Sequence, residues 1–352
     1  MTGIYIHFPF CLSKCNYCNF SSITDLSRIE NYINELVKEI EAFPDENVLC
    51  DTIYIGGGTP GLIEKKYLER ILNALSEKFN FAEKTEFTME VNPCMTDNLS
   101  SFVSLGVNRI SFGVQSMSNK VLKILGRRHT SQEAIKALRK AKKLVDNISA
   151  DLIIGAAVTD IEREIEQIAP FVKHFSVYML KLEEGTALFS NYKKTFFPPD
   201  DDTVADLYNR AYRALEEKGF HRYEISNFCL DSYESRHNLK YWGMDDYVGF
   251  GCASHSFYKG RRYYNAEKVE DYLKGIHSGN KKEREEATDY IFEFIMLGLR
   301  TKFGANLEKL YQRTNYDFFK EKQSIISELS PYLEINGSTI RIKDEYLLME
   351  NH

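Results

Sequence analysis

The chain has 352 residues and a mass of 40.8 kDa, the size of one large domain or two ordinary ones. Hydrophobic residues make up 43% of it, and only 20 Gly and 8 Pro are present, so the composition supports a folded core and excludes a collagen-like or low-complexity chain. With 45 Lys and Arg against 51 Asp and Glu, the net charge is −6. This charge argues against a protein that binds nucleic acid over its whole surface, because binding phosphates needs an excess of cations.

The sequence carries no signal for membrane insertion or export. The apolar stretch Tyr290 to Leu299 contains Glu293 and is too short for a bilayer span, and residues Met1 to Ile4 lack the charged and apolar regions of a signal peptide. We therefore expect a cytoplasmic protein, in which seven cysteines would not form a disulfide framework. The odd cysteine count, with three in eight residues, points instead to metal binding or catalysis.

The first 180 residues alternate short β-rich runs with amphipathic helices. Periodicity of 3.6 residues predicts helices from Ile29 to Ile40, from Tyr67 to Leu75 and from Ile135 to Leu144, the last opened by Thr130-Ser131. The predicted strands are Ile4–His7, Thr52–Ile55, Glu86–Val91, Arg109–Val114, Ala150–Ile154 and Phe175–Leu180. This alternation predicts an α/β fold, an open partial (β/α)6 barrel with function at the carboxyl ends of its strands.

The composition changes after Pro198-Pro199, so we place a first domain at residues 1–200 and an extension at 201–280. The extension begins with a helix that Asp200–Asp202 caps and Lys218-Gly219 ends, followed by a loop-rich aromatic stretch from Tyr223 to Tyr264. We interpret this segment as an extension of the barrel.

A charged run, Lys281 to Glu286, predicts the start of a third domain at residues 281–352. Asn336-Gly337 between two alternating segments is a strong hairpin signal. Helices followed by a hairpin indicate a small winged-helix-like domain. Its mixed charge disfavours nucleic acid as a partner.

Cys11, Cys15 and Cys18 form a Cys-x3-Cys-x2-Cys motif directly after the first predicted strand. Thiolates suit zinc or an iron–sulfur cluster. Zinc would need a fourth ligand, which His7 could supply. An iron–sulfur cube on three cysteines would leave one iron open, as a catalytic cluster requires.

The second predicted strand, Thr52–Ile55, runs into Gly56-Gly57-Gly58-Thr59-Pro60. Glycines at this place would let backbone N–H groups approach the charged end of a ligand. The alternative is a tight turn between strand and helix. The position favours the first interpretation, because the turn would lie beside the cysteine loop.

The cysteine motif with Tyr17 before its last Cys, together with Gly-Gly-Gly-Thr-Pro, resembles the radical S-adenosylmethionine (SAM) enzymes. Three further segments resemble the oxygen-independent coproporphyrinogen III oxidase family. They are Ile4–Cys11, Gly106–Ser116 and Leu125–His129. The resemblance extends over nearly the whole chain.

This resemblance implies that the three cysteines hold a [4Fe–4S] cluster whose open iron binds SAM. One electron, from a donor such as flavodoxin or ferredoxin, would cleave SAM to methionine and a 5′-deoxyadenosyl radical. The positions that match SAM contacts in the family are Tyr5, Tyr17, Gly57, Gly58, Thr59, Glu90, Gln115, Arg127 and Asp151. Arg127 could instead pair with a surface acid, and Asp151 could cap a loop.

Two branches of the family differ in chemistry. The oxidases, which decarboxylate two propionates of coproporphyrinogen III, carry an extra Cys two residues after the third ligand and a longer N-terminal arm. Here Phe20 takes that position and ten residues precede Cys11, so we expect the HemW-like haem chaperone branch. Such a chaperone would bind haem and pass it to an acceptor, expected to be a membrane haemoprotein. The oxidase activity and a structural zinc module remain the alternatives.

The segment His237-Asn238-Leu239-Lys240-Tyr241-Trp242 matches the His-Asn-x-x-Tyr-Trp signature of that branch. His237 is the predicted axial haem ligand, since imidazole commonly ligates haem iron. The alternative is a hydrogen-bonded loop histidine, and His255 is a weaker second candidate for the ligand.

One segment departs from the family. Gly155-Ala156-Ala157 stands where a Gly-Leu-Pro-Gly-Gln-like turn is usual. We expect this loop near the adenosine of SAM, so the departure bears on how SAM is bound.

Overall fold

The computed structural model describes residues 1–274, 284–286 and 289–349. All six predicted strands are confirmed, and they pair in parallel in the order in which they occur along the chain. They are β1 Thr2–Phe8, β2 Val48–Gly57, β3 Phe79–Val91, β4 Arg109–Gln115, β5 Asn147–Ile154 and β6 His174–Met179.

Helices connect these strands, and the three predicted from periodicity are confirmed. Thr130 and Glu133 form a reciprocal capping box that starts α5, and Asp160 accepts from the Arg163 N–H at the start of α6. The helices are α1 Ile29–Glu41, α2 Lys65–Lys78, α3 Leu99–Ser104, α4 Asn119–Ile124, α5 Ser131–Ala141 and α6 Ile161–Ile168.

Side chains alternate between two faces of this parallel sheet. On one face Ile4, Ile6 and Phe8 are fully buried in an apolar core that includes Tyr32 and Leu36 of α1. The opposite face is polar even where it is buried. Its members include Thr52, Glu86, Thr88, Arg109, Ser111, Ser149, His174 and Ser176. Hydrogen bonds hold this polar interior together, among them one between Ser149 Oγ and His174 Nδ1 at 2.7 Å.

The stretch from Tyr223 to Tyr264, expected to be loop-rich, contributes strands to both sides of the sheet, which corrects that part of the prediction, whereas the helix predicted after Asp200 is confirmed. The elements from residue 187 to 273 are α7 Ala187–Asn191, α8 Asp201–Glu216, β7 His221–Arg222, β8 Asn227–Cys229, α9 Arg236–Trp242, β9 Tyr247–Phe250, β10 His255–Tyr258, β11 Arg261–Tyr264 and α10 Val269–Leu273. β9 pairs in parallel with β1, and β8 pairs antiparallel with β6. With β12, Arg284–Glu286, the described sheet has 12 strands in the order β12-β11-β10-β9-β1-β2-β3-β4-β5-β6-β8-β7.

The C-terminal region is helical with a small antiparallel sheet in the order β13-β15-β14, as predicted. Asn336 and Thr339 pair across the expected hairpin turn. The elements are α11 Tyr290–Leu299, β13 Ala305–Asn306, α12 Leu307–Thr314, α13 Phe318–Glu321, α14 Gln323–Leu329, β14 Leu333–Asn336 and β15 Thr339–Ile342. Of the charged run predicted to mark the domain start, residues 281–283 lie outside the described residues. Within the described chain, no helix combines the length and apolarity needed to cross a bilayer.

Candidate functional site

A cavity of about 520 Å³ opens at the carboxyl ends of the parallel strands, where the fold class predicts function. Its walls come from the loop after β1, the turn after β2 and the ends of β3 to β6. Eleven of the sequence-predicted site residues line it together: Cys11, Cys15, Tyr17, Cys18, Gly57, Gly58, Thr59, Glu90, Gln115, Arg127 and Asp151. Tyr5 and His237 do not line this cavity.

The cysteine loop is fastened at both of its ends by backbone hydrogen bonds. The Cys11 N–H donates to the carbonyl of Ile23 at 2.9 Å, and the Ile23 N–H donates to the carbonyl of Pro9 at 2.7 Å. Farther along, the Asn16 N–H reaches the carbonyl of Leu125 at 3.0 Å, at the end of α4. These bonds hold the three thiols over the same cavity.

Two side chains donate hydrogen bonds to cysteine sulfurs and are themselves connected. Thr59 Oγ1 lies 3.4 Å from Cys11 Sγ, and Arg127 Nη1 lies 3.4 Å from Cys15 Sγ. Asn92 links the two donors, because its Nδ2 donates to Thr59 Oγ1 at 3.1 Å and its Oδ1 accepts from Arg127 Nη2 at 2.5 Å. Asn92 was missed from the sequence, although its place two residues after Glu90 on the rim could have indicated it.

The donor set fits an iron–sulfur cluster. Three thiols face one cavity, two hydrogen-bond donors already address sulfur, and Arg127 Nε is buried without a partner. Burial raises the pKa of the Cys18 thiol, with the neighbouring cysteines adding to the effect. Among residues 1–274, 284–286 and 289–349, no three His, Cys, Asp or Glu side chains already converge as a metal site, so the thiols would have to turn toward a bound cluster.

The glycine turn after β2 works differently from the prediction. Its N–H groups do not point to a ligand, because Gly58 N donates to the Phe8 carbonyl at 2.8 Å and Gly57 N donates to Glu90 Oε2 at 3.2 Å. Glycine is needed for close packing instead. A Cβ on Gly58 would lie 2.7 Å from the Phe8 carbonyl oxygen, and one on Gly57 would lie 2.4 Å from the His7 ring.

Two carboxyl groups enter the cavity from β3 and β5. Burial raises the pKa of Glu90 to about 7, even though its oxygens accept from the Tyr54 hydroxyl at 2.7 Å and from the Gly57 N–H. Burial also raises the pKa of Asp151, which accepts from the Ser111 hydroxyl at 3.2 Å. Asp151 lies on a strand and caps no loop. A bound cation, such as an ammonium group, would favour the ionised form of both carboxyls.

Tyr17, Gln115 and the 155–157 segment shape the remaining wall. Tyr17 packs with Ala156 and Ala157 in a small apolar cluster. The segment 155–157, which departs from the family pattern, therefore packs against the cysteine loop. Gln115 has a φ of +66°, an unusual conformation for a residue other than glycine. Such backbone strain concentrates at ligand sites.

The zinc alternative receives no support from His7. Its Nε2 bonds the Ser21 carbonyl at 2.8 Å and its Nδ1 bonds the Tyr5 hydroxyl at 3.1 Å, so both ring nitrogens are engaged. His7 does not line the cysteine cavity. The predicted SAM contact Tyr5 holds this histidine in place and stacks on Tyr54 with ring centroids 6.1 Å apart.

His237 is fully buried in α9, inside the polar face of the sheet. Its Nδ1 lies 2.9 Å from Thr52 Oγ1 and its Nε2 lies 2.8 Å from the Tyr241 hydroxyl. Burial lowers its pKa to about 3. In this arrangement both nitrogens are already paired, so His237 matches the alternative of a hydrogen-bonded histidine, and its role as a haem ligand stays a prediction without structural support.

Known proteins match this chain over most of its length. Residues 5–169 match the family model of the Radical SAM superfamily, and residues 286–344 match that of the HemN C-terminal domain. Heme chaperone HemW of Lactococcus lactis subsp. lactis is 34% identical over 337 residues, covering 92% of this chain and 88% of the relative. Heme chaperone HemW of Escherichia coli K12 is 34% identical and covers 84% of this chain and 81% of its own length.

Among solved structures, the radical SAM enzyme coproporphyrinogen III oxidase (HemN) of Escherichia coli superposes with a TM-score of 0.84 and 19% identity. The match covers 99% of this chain and 88% of that one, and it establishes the fold. The family itself is shown by the identity to the HemW proteins over most of both chains. The chain belongs to the HemW family of the radical SAM superfamily.

Proposed function

We propose that this protein is a haem chaperone. It holds a [4Fe–4S] cluster on Cys11, Cys15 and Cys18, binds SAM in the same cavity, and carries haem to an acceptor protein. The observation that carries the proposal is Phe20, which lines the cavity and is 67% exposed where the oxidase branch has an additional cysteine. The 34% identity to two HemW haem chaperones, which extends over most of the chain, also supports the proposal.

The chain's own residues would prepare the cavity for its cofactors. Thr59 and Arg127 donate to sulfur and so stabilise the negative charge of the ligating thiolates. Glu90 and Asp151 provide carboxylates that orient a positively charged amino group. A cluster bound there would supply a single electron for the cleavage of SAM, and an external donor such as flavodoxin or ferredoxin would return that electron to the cluster. Haem is the cargo, and the acceptor is expected to be a membrane haemoprotein.

The test uses the full chain, purified and reconstituted with iron and sulfide without oxygen. It is titrated with haem while the Soret band is followed, and separately incubated with coproporphyrinogen III, SAM and a reductant. Saturable haem binding without protoporphyrinogen formation would support the chaperone. Protoporphyrinogen formation would overturn it in favour of the oxidase, and a protein that takes up zinc but no iron or sulfide would remove both.

A further inference from the structure

One segment of the chain has a charge opposite to that of the whole. Residues 120–143, which span α4, the turn after it and α5, contain nine lysines and arginines and a single acid, Glu133, although the net charge of the chain is −6. In the described part of the chain, none of these nine cations forms an ion pair with an acid. A cluster of unpaired cations creates a positive potential that attracts acidic partners.

The first part of this segment packs directly against the cysteine loop. Asn16 in that loop donates from Nδ2 to the carbonyl of Ile124 at 2.9 Å, and a Cβ on Gly126 would lie 2.9 Å from the Asn16 side chain. Lys120 and Lys123 lie about one turn apart on α4, and both are exposed. The cations of α4 are therefore next to the loop that carries the three thiols.

A recess of about 20 Å³ lies on the outer side of the same loop, and its lining includes Leu12, Cys15, Arg127 and Arg128. Cys15 and Arg127 also line the cysteine cavity, so the loop separates the recess from that cavity. The recess is far smaller than the roughly 300 Å³ at which small-molecule sites begin, which favours a contact surface. Leu12 is 37% exposed beside the exposed cation Arg128, a combination that resembles the apolar centre and polar rim of a protein interface.

We propose that Leu12, Lys120, Lys123 and Arg128 form a docking surface, the donor surface, for an acidic protein that delivers single electrons to the cluster. The inference rests on the proposed function, because that function requires an electron for a cluster in the adjoining cavity. In each transfer the partner is oxidised by one electron and the cluster is reduced by one. No bond forms or breaks at the donor surface itself.

Location decides among the anionic partners that these cations could attract. Nucleic acid and anionic lipid would respond to the positive charge alone, and nothing in their chemistry requires the cysteine loop. An electron donor must bring its own redox group close to the acceptor, and Cys15 lies in the wall of both the recess and the cysteine cavity. Electron-transfer complexes also bury little area, which fits a small surface with one exposed apolar side chain.

The test measures the binding of flavodoxin, an acidic one-electron carrier, to the full-length chain reconstituted with its cluster. The donor-surface variant combines Lys120→Glu, Lys123→Glu and Arg128→Glu, all at exposed positions. At low ionic strength we expect it to bind flavodoxin about tenfold or more weakly than wild type, since electrostatic steering accounts for factors of about 10 to 1,000 in association. Reduction of its cluster by reduced flavodoxin should slow, while reduction by dithionite should match wild type.

The matched control combines Lys84→Glu, Lys218→Glu and Lys320→Glu, which changes the net charge by the same amount. These lysines are exposed, line neither the recess nor the cysteine cavity, and form no ion pair within the described residues. The control should bind flavodoxin as wild type does. Added salt should weaken wild-type binding, because the screening length falls from about 30 Å at 0.01 M to about 10 Å at 0.1 M.

Three outcomes would overturn the donor surface. They are equal weakening in both triple variants, which would make net charge the cause, unchanged binding in the donor-surface variant, and a wild-type chain that does not bind flavodoxin. Flotation with phosphatidylglycerol vesicles tests the membrane alternative, since vesicle binding lost in a donor-surface variant that still binds flavodoxin would assign these cations to lipid. A wild-type chain that binds flavodoxin but takes up no haem would instead refute the chaperone and leave the donor surface in place.

Discussion

Replacing Gly57 by alanine should show how tightly the glycine turn is packed against β1. Gly57 has a φ of +103°, which costs an alanine about 1–3 kcal/mol. Its new Cβ would also lie 2.4 Å from the ring of His7, which is 5% exposed and cannot move without losing its bonds to Ser21 and Tyr5. Two lost hydrogen bonds cost about 1–3 kcal/mol together.

The sum predicts that Gly57→Ala lowers the free energy of unfolding by about 2–6 kcal/mol, a large part of the 5–15 kcal/mol typical of a whole protein. Gly260→Ala is the matched control. Gly260 has a φ of +75°, and a Cβ there would meet nothing within 4 Å. An alanine at this position therefore incurs only the free-energy cost of the backbone conformation.

The assay is urea unfolding of both variants and wild type, followed by circular dichroism. Gly57→Ala should be the less stable variant by about 1–3 kcal/mol, which is the cost of displacing His7. It should also bind SAM more weakly, because a shift of this turn away from His7 would move the residue 57 N–H that donates to Glu90. Equal stability of the two variants would refute the reasoning, because it would mean that the His7 ring can move away from the new Cβ with no loss of free energy of unfolding.

Three further predictions concern the cluster and the buried acids. After reconstitution, Cys15→Ala should contain neither iron nor sulfide. The control variant Cys94→Ala, which changes an exposed cysteine outside the motif, should contain both. Equal iron contents in the two variants would contradict the ligand assignment. The affinity for SAM should rise as the pH increases through about 7, because Glu90 then loses its proton and attracts the ammonium group of SAM. Calorimetric titrations should show this rise in wild type and not in Glu90→Gln. Buried Glu224, whose pKa burial raises to about 7 from the usual 4.5, binds its proton more tightly in the folded state. The stability that this proton contributes is therefore lost as the pH rises from 4.5 to 7, so Glu224→Gln should become more stable relative to wild type over that range. Denaturant titrations of both proteins at the two pH values measure this difference in stability, and an unchanged difference would contradict the raised pKa.

Much of the site was accessible from the sequence because its signals are local. The strands β1 to β6 each show a β-rich run, and parallel strands bring their carboxyl ends to one edge. Cys11, Gly57 and Glu90 each come at or just beyond a strand end, so their meeting in one cavity follows from the order of the elements alone.

The extension at residues 201–280 was harder to predict because its strands are short and pair with distant partners. β9 has four residues and lies against β1, more than two hundred positions away in the chain, and β8 has three and lies against β6. No local periodicity reveals such pairing, so the region read as loops. Residues 253–270 of the same segment form one wall of a further cavity beside the cysteine cavity, and no local pattern in the sequence indicated it.

The sequence by itself determined the α/β class, the six parallel strands and eleven of the residues that line the cysteine cavity, since each depends on residue types within a short window. Only the tertiary structure decided how those residues are used. The N–H groups of Gly57 and Gly58 donate to Glu90 and to β1, and His237 is a buried side chain with both ring nitrogens hydrogen-bonded. Burial and hydrogen-bond partners depend on elements that meet only when the chain folds, and these contacts separate a ligand from a structural residue.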